Sequence, residues 1–446
     1  MTDAAQDHQP ATVPSGATPA GAVRARWAWT APEVWTDRML TALEPSGRGG
    51  RWHTLSDKVC AERTLRAAFA RVKANRGAPG VDHVTVVMFE ARLDANLAAL
   101  SQALRDGTYR PQPIRRHWIP KGPRERRPLG IPTVRDRVVQ TALRLVLEPI
   151  FETTFAPHSY GFRPQRSAKQ ALRRVVHLLR AGHRYVVDAD LRAYFDSIPH
   201  GPLLARVRSK VSDSRVLTLV DAFLAQPIFE GLVQWTVEEG TPQGAVISPL
   251  LANLYLDPLD HAVAAAGYEM VRYADDFVIL CRTAEDAQQA LTLVQRWTEA
   301  AGLQLHPEKT HLVDLQPSGA FEFLGYHFSG DRRWPRAKSL RKLKDAVRQK
   351  TRRSHGQSLA VIIGDLNRTL VGWFGYFKHS DRDRLFANLD AWIRMRLRSL
   401  LRKRIGRRGR GTTPADSRRW PTTFFATQGL FSLADAHAAY RQSPLG

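Results

Sequence analysis

Two adjacent carboxylates, Asp275 and Asp276, separate two apolar segments within the stretch Val271–Leu280. The β-branched and aromatic residues on either side predict two strands joined by a tight turn, with the carboxylates at its tip. Like charges beside buried strands repel each other, so the pair is costly unless a cation neutralises it. A divalent metal with hard oxygen ligands, such as Mg²⁺, would do so. For the dipeptide alone, an ordinary aspartate-rich turn is the alternative.

A second acidic segment strengthens the metal interpretation. The apolar run Tyr185–Asp190 predicts another strand, and it ends on Asp190. If this strand lies beside the hairpin, Asp190 completes a three-carboxylate cluster able to hold two ions roughly 3.5–4 Å apart. Such a pair of ions clamps the attacking and leaving oxygens of an in-line phosphoryl displacement. The arrangement therefore predicts nucleotidyl transfer.

The charge of the chain points to a polyanionic partner. The 446 residues carry a net charge of +24, and residues 336–410 supply +17 of it, with 22 basic and five acidic side chains. Apolar residues recur at helical spacing between these basic ones, which predicts a basic helical bundle. A surplus of this size is typical of proteins that bind nucleic acid.

The remaining composition excludes several classes. Cys60 and Cys281 are far apart and lie in no C-x-x-C pair, so neither a zinc ribbon nor a disulfide framework is expected. No run of about 18 apolar residues is present, and the N-terminus does not begin as a secretory signal does. We therefore expect a cytoplasmic protein that does not span a membrane.

Strands and helices alternate along the chain, which predicts an α+β body. Helical spacing is found at 55–104, 135–155 and 168–179, and strand-like runs follow at 185–190, 271–280 and 321–328. Residues 1 to about 22 have few large apolar side chains and are expected to form a flexible leader. The tryptophans Trp27, Trp29 and Trp35 would either dock the end of that leader or pack at the surface.

A series of motifs in a fixed order resembles the group II intron-encoded reverse transcriptase and maturase family. The similarity extends from about Leu55 to Tyr440. The motifs are Ile119-Pro120-Lys121, Arg127-Pro128-Leu129-Gly130-Ile131-Pro132, Ser159-Tyr160-Gly161-Phe162-Arg163-Pro164, Gly240-Thr241-Pro242-Gln243-Gly244, Ser248-Pro249-Leu250-Leu251-Ala252-Asn253, Tyr273-Ala274-Asp275-Asp276, Gly302-Leu303, Glu308-Lys309-Thr310 and Phe323-Leu324-Gly325-Tyr326, together with the segment around Asp190.

The resemblance implies a right-hand polymerase with fingers, a palm built on an antiparallel sheet, and a helical thumb. The expected segments are a disordered leader (1–26), an N-terminal extension with fingers (27–184), the palm with part of the fingers (185–334), a basic thumb or maturase domain (335–410) and a short C-terminal extension (411–446). The chain lacks the paired cysteines and histidines of the endonuclease module of some relatives. A large separate DNA-binding domain is accordingly expected to be absent or much reduced.

The resemblance also assigns residues to roles at the catalytic site. It makes Asp190, Asp275 and Asp276 the catalytic ligands of two Mg²⁺ ions, with the backbone carbonyl of Leu191 as a further ligand. Phe195 matches the aromatic residue that lies against the sugar and excludes a ribose 2′-hydroxyl; by position alone it would be a core aromatic.

Four further positions are expected to bind the incoming nucleotide or its phosphates. Lys121 and Arg127 lie in the basic finger segment that would meet the triphosphate, where charge builds on the leaving pyrophosphate; Arg124 and Arg126 are near alternatives, and a solvated loop is the other explanation. Gln243 would line the nucleotide pocket. Lys309 would protonate the pyrophosphate or, alternatively, pair with Glu308 or a phosphate.

Contacts with the nucleic-acid backbone are expected in two places. Arg163 and Arg166 would contact the template strand. Arg394, Arg398 and Arg402 recur at i, i+4 spacing and would meet phosphates from one helical face. In the same bundle the aromatic residues Trp373, Phe374, Tyr376 and Phe377 would stack on bases, although adjacent helical positions face different directions and at least two should pack inside.

The main functional hypothesis is an RNA-directed DNA polymerase that uses an RNA template, a DNA primer and deoxynucleoside triphosphates, and that also binds group II intron RNA to assist its splicing and mobility. One alternative is an RNA-binding splicing cofactor with incidental polymerase activity. Another is a domesticated reverse transcriptase in phage defence or repair.

Overall fold

The structure is a computed structural model that describes residues 20–43, 50–120, 126–230, 233–235, 239–316, 318–354 and 356–443. Its helices are α1 (Ala20–Arg26), α2 (Asp37–Leu43), α3 (Ser56–Cys60), α4 (Glu62–Ala74), α5 (Val86–Glu90), α6 (Leu93–Arg105), α7 (Val134–Glu152), α8 (Ala168–Arg180), α9 (His200–Arg208), α10 (Ser214–Leu224), α11 (Ser248–Ala265), α12 (Ala284–Ala300), α13 (Ala337–Lys350), α14 (Leu359–Phe377), α15 (Asp383–Arg404), α16 (Pro414–Arg419), α17 (Thr422–Thr427) and α18 (Leu433–Gln442). Across these ranges, no helix has the length and apolar character needed to cross a bilayer.

Within the described residues, the strands form three sheets. They are β1 (Ile114–Pro120), β2 (Arg126–Ile131), β3 (Tyr185–Asp190), β4 (Ile228–Glu230), β5 (Val233–Trp235), β6 (Glu269–Tyr273), β7 (Asp276–Cys281), β8 (His311–Asp314), β9 (Ala320–Phe323), β10 (Tyr326–Ser329) and β11 (Arg332–Pro335). The strand orders are β2-β1-β4-β5, β6-β7-β3-β8 and β11-β10-β9. Helices and sheets thus mix as predicted, and the α+β class is confirmed.

The chain divides into two compact units. The first comprises residues 1–155, 163–165 and 195–257, and the second comprises 156–162, 166–194 and 258–446. Each unit combines segments that are distant in sequence, so the unit boundaries do not follow the segments expected along the chain.

The first unit is built around helix α7. Thr133 caps this helix by accepting a hydrogen bond from the Asp136 amide at 3.1 Å. Sixteen of its 19 residues are buried, including polar side chains such as those of Asp136 and Gln140, so the helix is enclosed along nearly its whole length. Trp35 is fully buried and donates from its indole nitrogen to the Leu145 carbonyl at 3.0 Å. Trp35 therefore docks the N-terminal segment onto this core.

The last residues of the segment predicted as a disordered leader are helical. Residues 1–19 lie outside the described part of the chain, but residues 20–26 form helix α1, in which Val23 is buried. Alanine and arginine favour helix, and Val23 and Trp27 lie four residues apart on one helical face. The end of the predicted leader therefore packs as an ordered element.

The second unit contains the sheet that carries the predicted acidic residues, which we call the carboxylate sheet (β6-β7-β3-β8). Its neighbouring strands are all antiparallel. Strand β3 coincides with the predicted strand Tyr185–Asp190, and the predicted hairpin is formed by β6 and β7. Helix α8 packs Leu172 and Val175 against one face of this sheet.

The run at 321–328 is two strands, β9 and β10, rather than one. They are separated at Leu324 and Gly325, whose φ angles are +47° and +83°. Glycine adopts this left-handed region at little cost, which permits the tight turn.

Helices α13 to α18 form the terminal bundle. Its core draws on α14 and α15 and also on Trp420, Phe425 and Leu433 from the C-terminal helices. The expected extension 411–446 therefore shares a hydrophobic core with the basic segment instead of forming a separate piece.

Candidate active site

The structure brings the three predicted aspartates to one end of the carboxylate sheet. Asp190 ends β3 and lies directly opposite Asp276, the first residue of β7. Asp275 occupies the turn between β6 and β7. Because directly opposed residues on antiparallel strands have neighbouring side chains, the carboxylates from two distant segments lie close together.

Crowding of negative charge perturbs these groups. Burial raises the pKa of Asp276 to about 7, with further contributions from Asp275 and Asp190. Burial also raises the pKa of Asp275, and Asp190 adds to that effect. The charged state of the cluster therefore needs a compensating cation.

Asp188 is a fourth member of the cluster that the sequence reasoning missed. Burial and then the charges of Asp276 and Asp190 raise its pKa to about 7. Its position two residues before Asp190 on the same strand places both side chains on one face of the sheet. That i, i+2 spacing is the signal that would have identified it.

Lys309 provides a positive charge at the cluster. Its Nζ lies 2.5 Å from Asp190 Oδ2, across 119 residues of sequence. The expected alternative of a Lys309–Glu308 pair is not the one observed.

Among the described residues, no set of three or more histidine, cysteine, aspartate or glutamate side chains stands in a geometry that could hold a metal ion. The chemistry of the donors nevertheless suits a hard divalent ion, because carboxylate oxygens are the ligands that such an ion prefers and it would relieve their mutual repulsion.

A buried ion pair supports the turn that carries Asp275. Arg272 is fully buried and binds Asp260 through two hydrogen bonds of 2.8 and 2.5 Å. Its remaining nitrogen donates to the Ala274 carbonyl at 2.8 Å. Ala274 has a φ of +62°, an uncommon angle for a non-glycine residue. Arg272 thus fixes an unusual backbone conformation next to the acidic pair.

Gly161 lies against the same turn. A Cβ at this position would stand 2.3 Å from the Ala274 nitrogen, so only glycine permits the approach. The Tyr160 amide also donates to the Arg272 carbonyl at 2.9 Å. The motif Ser159–Pro164 therefore contains residues that shape the acidic turn.

Leu191 is held by contacts with the segment that leads to Lys309. It forms an isolated antiparallel bridge with Leu305. The His306 amide donates to the Asp190 carbonyl, and the Arg192 amide donates to the Gln304 carbonyl, both at 2.8 Å. These bonds fix the backbone from which Leu191 is predicted to offer its carbonyl.

The predicted nucleotide residues of the first unit occupy a connected set of turns. Gln243 donates from Nε2 to Asp196 at 2.9 Å, and its carbonyl accepts from the Gly130 amide at 2.6 Å. Phe195 is half-buried, and its carbonyl accepts from the Thr241 amide. These contacts fix the backbone of both residues, and their nucleotide roles stay predictions.

Of the two predicted phosphate-binding residues of the fingers, Arg127 lies in the described part of the chain. Arg127 is exposed on β2 and lies opposite Ile119 on β1. Lys121 falls outside the described residues, as does the alternative Arg124.

Arg163 is better explained as a structural residue than as a template contact. It is buried, and its guanidinium lies 2.7 Å from Glu152. A buried, paired guanidinium has its charge compensated inside the protein. Arg166, in the second unit, is half-buried, lies over the Tyr160 ring and donates to the Pro157 carbonyl at 3.2 Å.

The arginine series of α15 also makes internal contacts. Arg402 donates two hydrogen bonds to Asp416, at 2.8 and 2.7 Å, and Arg398 donates to the Trp420 carbonyl at 2.9 Å. Asp416 is buried and its pKa is lowered because Thr413 and Arg402 hydrogen-bond to it, which outweighs its burial. Arg398 and Arg402 therefore bind residues of the C-terminal helical segment. Their i, i+4 spacing in the sequence did not indicate these internal contacts. Arg394 is half-buried one turn from Asp390.

The aromatic residues of α14 mostly pack inside the second unit. Phe374 and Phe377 are buried, while Trp373 and Tyr376 are half-buried. Phe377 belongs to the core of the carboxylate sheet, and Phe374 belongs to the core of the terminal bundle. At least two of the four are thus inside, as expected, and base stacking by the others stays a prediction.

Two protein families match the chain. Residues 119–328 match the family described as reverse transcriptase (RNA-dependent DNA polymerase). Residues 340–418 match the maturase-specific domain of group II introns. The first match contains all three predicted catalytic aspartates, and the second covers most of the basic segment.

Individual relatives agree with these matches. Protein YkfC of Escherichia coli K12 is 40% identical over 241 residues, which covers 53% of this chain and 59% of that protein. Group II intron-encoded protein LtrA of Lactococcus lactis is 39% identical over 199 residues, which covers 44% of this chain and 33% of that protein. The chain therefore aligns with less than two thirds of the length of either relative. Among solved structures, a partial Cas6-RT-Cas1--Cas2 complex matches with 25% identity and a TM-score of 0.37, covering 56% of this chain and 42% of that chain.

Proposed function

Because the chain belongs to the group II intron reverse transcriptase and maturase family, we propose that it is an RNA-directed DNA polymerase. The observation that carries this proposal is the β-sheet register that places Asp190 opposite Asp276, with Asp275 in the adjoining turn. Reverse transcriptases use divalent metal ions, and a cluster of carboxylates on one sheet edge is the arrangement that their chemistry requires.

Asp190, Asp275 and Asp276 would hold two Mg²⁺ ions, together with the backbone carbonyl of Leu191. When bound, such ions supply positive charge that lowers the pKa of the attacking hydroxyl and stabilises the leaving pyrophosphate. The ions would also stabilise the charged carboxylates, because burial and mutual repulsion raise the pKa of Asp275 and of Asp276.

Other residues of the chain would position the substrates. Lys309 lies at the cluster through its bond to Asp190, and from there its ammonium group would donate a proton or a hydrogen bond to the departing pyrophosphate. Gln243, which is hydrogen-bonded to Asp196 and Gly130, would line the nucleotide pocket. Phe195 would exclude a ribose 2′-hydroxyl, and Lys121 and Arg127 would bind the triphosphate.

The basic segment supports RNA as the template and as a bound partner. It carries a net charge of +17 over residues 336–410, and the group II intron maturase match covers residues 340–418. Neutralising phosphates and releasing their counterions supplies most of the affinity of such surfaces. We therefore propose that the protein also binds group II intron RNA and assists its splicing and mobility, in the cytoplasm.

The polymerase proposal is tested by primer extension. Purified protein with Mg²⁺ should extend a DNA primer on an RNA template using deoxynucleoside triphosphates. Asp275→Asn should abolish extension while leaving the dissociation constant for RNA nearly unchanged, because the neutral amide binds a divalent ion much more weakly than a carboxylate does but keeps the size of the side chain. Asp106→Asn changes an exposed aspartate on the first unit and should keep wild-type extension. Equal loss of extension and RNA binding in Asp275→Asn would show that the residue is structural.

The splicing proposal is tested with the same proteins. Wild-type protein and Asp275→Asn should both accelerate self-splicing of a cognate group II intron, since splicing assistance requires RNA binding and not DNA synthesis. A wild-type protein that copies RNA but leaves splicing unchanged would support a domesticated reverse transcriptase instead. A protein that assists splicing without extending any primer would support the splicing-cofactor alternative.

A further inference from the structure

We propose that Gln140 of α7 is a positioning residue that holds the segment around Gln243 in the conformation that receives the incoming deoxynucleotide. We call residues 241–247 the glutamine turn. This inference rests on the proposed polymerase function, because that function assigns Gln243 to the nucleotide pocket. Gln140 itself would not touch the nucleotide, since it acts through the backbone of the glutamine turn.

The side chain of Gln140 forms a direct hydrogen bond to the glutamine turn. Its Oε1 accepts from the Val246 amide at 2.7 Å, across 106 residues of sequence. Gln140 is fully buried in the first unit, so loss of this acceptor would leave the Val246 amide without its partner. Because Val246 lies three residues after Gln243, the bond fixes the backbone on the C-terminal side of that residue.

The glutamine turn depends on contacts with other residues, because it is neither helix nor strand. At its start, the Thr241 amide donates to the Phe195 carbonyl at 2.6 Å. The Pro242 carbonyl accepts from the Ser248 hydroxyl at 3.0 Å and from the Ala245 amide at 3.1 Å. The bond from helix α7 adds a contact with the buried core at the other end of the turn.

The middle of the glutamine turn lies against strand β2. The Gly130 amide donates to the Gln243 carbonyl at 2.6 Å. Gly244 has a φ of +106°, and a Cβ at this position would stand 2.3 Å from the Gly130 carbonyl oxygen, so the backbones approach closely. Because β2 also carries Arg127, a shift of the turn would displace Gln243 relative to the strand that carries the predicted triphosphate ligand.

The chemistry of Gln140 distinguishes positioning from space filling. Burying an amide group costs free energy unless hydrogen bonds replace those lost with water. Among the residues that the structure describes, Nε2 of Gln140 has no hydrogen-bond partner, so the acceptor oxygen carries the interaction of this side chain. A residue that only filled space would be replaced by methionine without loss, whereas a positioning residue would not.

The test measures deoxynucleotide use by the full-length protein. An oligo(dT) primer on a poly(rA) template is extended at a series of thymidine triphosphate concentrations. Gln140→Met keeps the length of the side chain and removes the acceptor oxygen. It should raise KM for the triphosphate about twofold to tenfold, as expected for the loss of one hydrogen bond. The value of kcat should change less than KM, and the dissociation constant for the template–primer should stay unchanged.

A second variant restores the acceptor. Gln140→Glu keeps an oxygen where Oε1 stands, and burial favours the neutral form of the new carboxyl group. Its KM should therefore lie closer to the wild-type value than that of Gln140→Met. Hydrogen exchange of the amides in residues 241–248 should be faster in Gln140→Met than in the wild type, and Gln140→Glu should again be intermediate.

The next residue of the helix provides a matched control. Thr141 is also buried, and its hydroxyl donates to the Arg137 carbonyl of α7 itself at 2.7 Å. Thr141→Val removes this hydrogen bond without touching the glutamine turn. It should keep the wild-type KM for the triphosphate, even where its melting temperature falls as far as that of Gln140→Met.

The outcomes separate this inference from the proposed function. A wild-type KM in Gln140→Met, with a raised KM in Gln243→Ala, would overturn the positioning role alone. An equal rise of KM in Gln140→Met and Thr141→Val would overturn it as well, because the effect would then follow from weaker packing of α7. Active protein whose KM is unchanged in Gln243→Ala would overturn the nucleotide role of Gln243. A wild-type protein that extends no primer would overturn the polymerase proposal itself.

Discussion

The pair formed by Arg272 and Asp260 should be among the most sensitive points of the second unit. Asp260→Asn keeps the size of the side chain and removes its charge, so it leaves the Arg272 guanidinium buried without its counterion. Both side chains are almost inaccessible, with 1% of the Arg272 side chain and 5% of the Asp260 side chain exposed.

The magnitude follows from this burial. Removing one partner of a buried ion pair typically costs about 3–5 kcal/mol, because the remaining charge has lost both its hydration and its partner. Arg272 also donates to the Ala274 carbonyl, so its displacement would release the turn that carries Asp275. We expect Asp260→Asn to lower the free energy of unfolding by an amount within that range.

The chain offers a matched control. Arg66 and Asp94 form an ion pair at the same 2.5 Å distance, but 53% and 85% of their side chains are exposed. Exposed pairs contribute about 0.2–1 kcal/mol, because solvent screens the charges. Asp94→Asn should therefore change stability by less than about 1 kcal/mol.

Urea unfolding followed by tryptophan fluorescence gives the free energies of both variants. Hydrogen exchange of the amides in β6 and β7 reports whether the loss is local to the carboxylate sheet. An Asp260→Asn protein that is no less stable than Asp94→Asn, with wild-type protection in β6 and β7, would refute the assignment of the pair as the support of the acidic turn.

Three further outcomes are expected. Gly161→Ala should abolish primer extension and lower the melting temperature, since the new Cβ would stand 2.3 Å from the Ala274 nitrogen. Gly364→Ala, where a Cβ on α14 meets no atom within 4 Å, should preserve or slightly raise the melting temperature. Equal melting temperatures of the two variants would contradict the close approach of Gly161 to Ala274. The dissociation constant for RNA, measured by filter binding, should rise at least about a hundredfold between 50 and 200 mM salt if six or more phosphates are neutralised; a value that barely moves would exclude the basic bundle as the binding surface. Burial, with nearby Arg333 and Lys378, lowers the pKa of His379 to about 4, below its usual value near 6.5. The unfolded state therefore binds this proton more readily than the folded state, so the free energy of unfolding should fall as the pH drops from about 6.5 towards 4. Thermal melts at several pH values should show a smaller fall in His379→Asn than in the wild type.

The sequence by itself determined the local elements and the acidic motif. The run Tyr185–Asp190 reads as a buried strand that ends in a carboxylate, and the structure has β3 over those residues. The hairpin around Asp275 and Asp276 could be predicted equally well, because two short apolar runs and the polar turn between them are features of neighbouring residues in the chain. The helical character of the basic segment followed from its apolar spacing for the same reason.

Only the tertiary structure decided which charges meet. Asp190 is paired with Lys309, 119 residues away, and Arg402 is paired with Asp416 rather than left for a phosphate. Spacing along a helix shows which residues share a face, but it does not show what packs against that face. The partner of a charge, and the degree to which it is buried, depend on segments brought together by the fold. For this reason the acidic motif was visible in the sequence, whereas the buried ion pair of Arg272 and Asp260 that supports its turn was not.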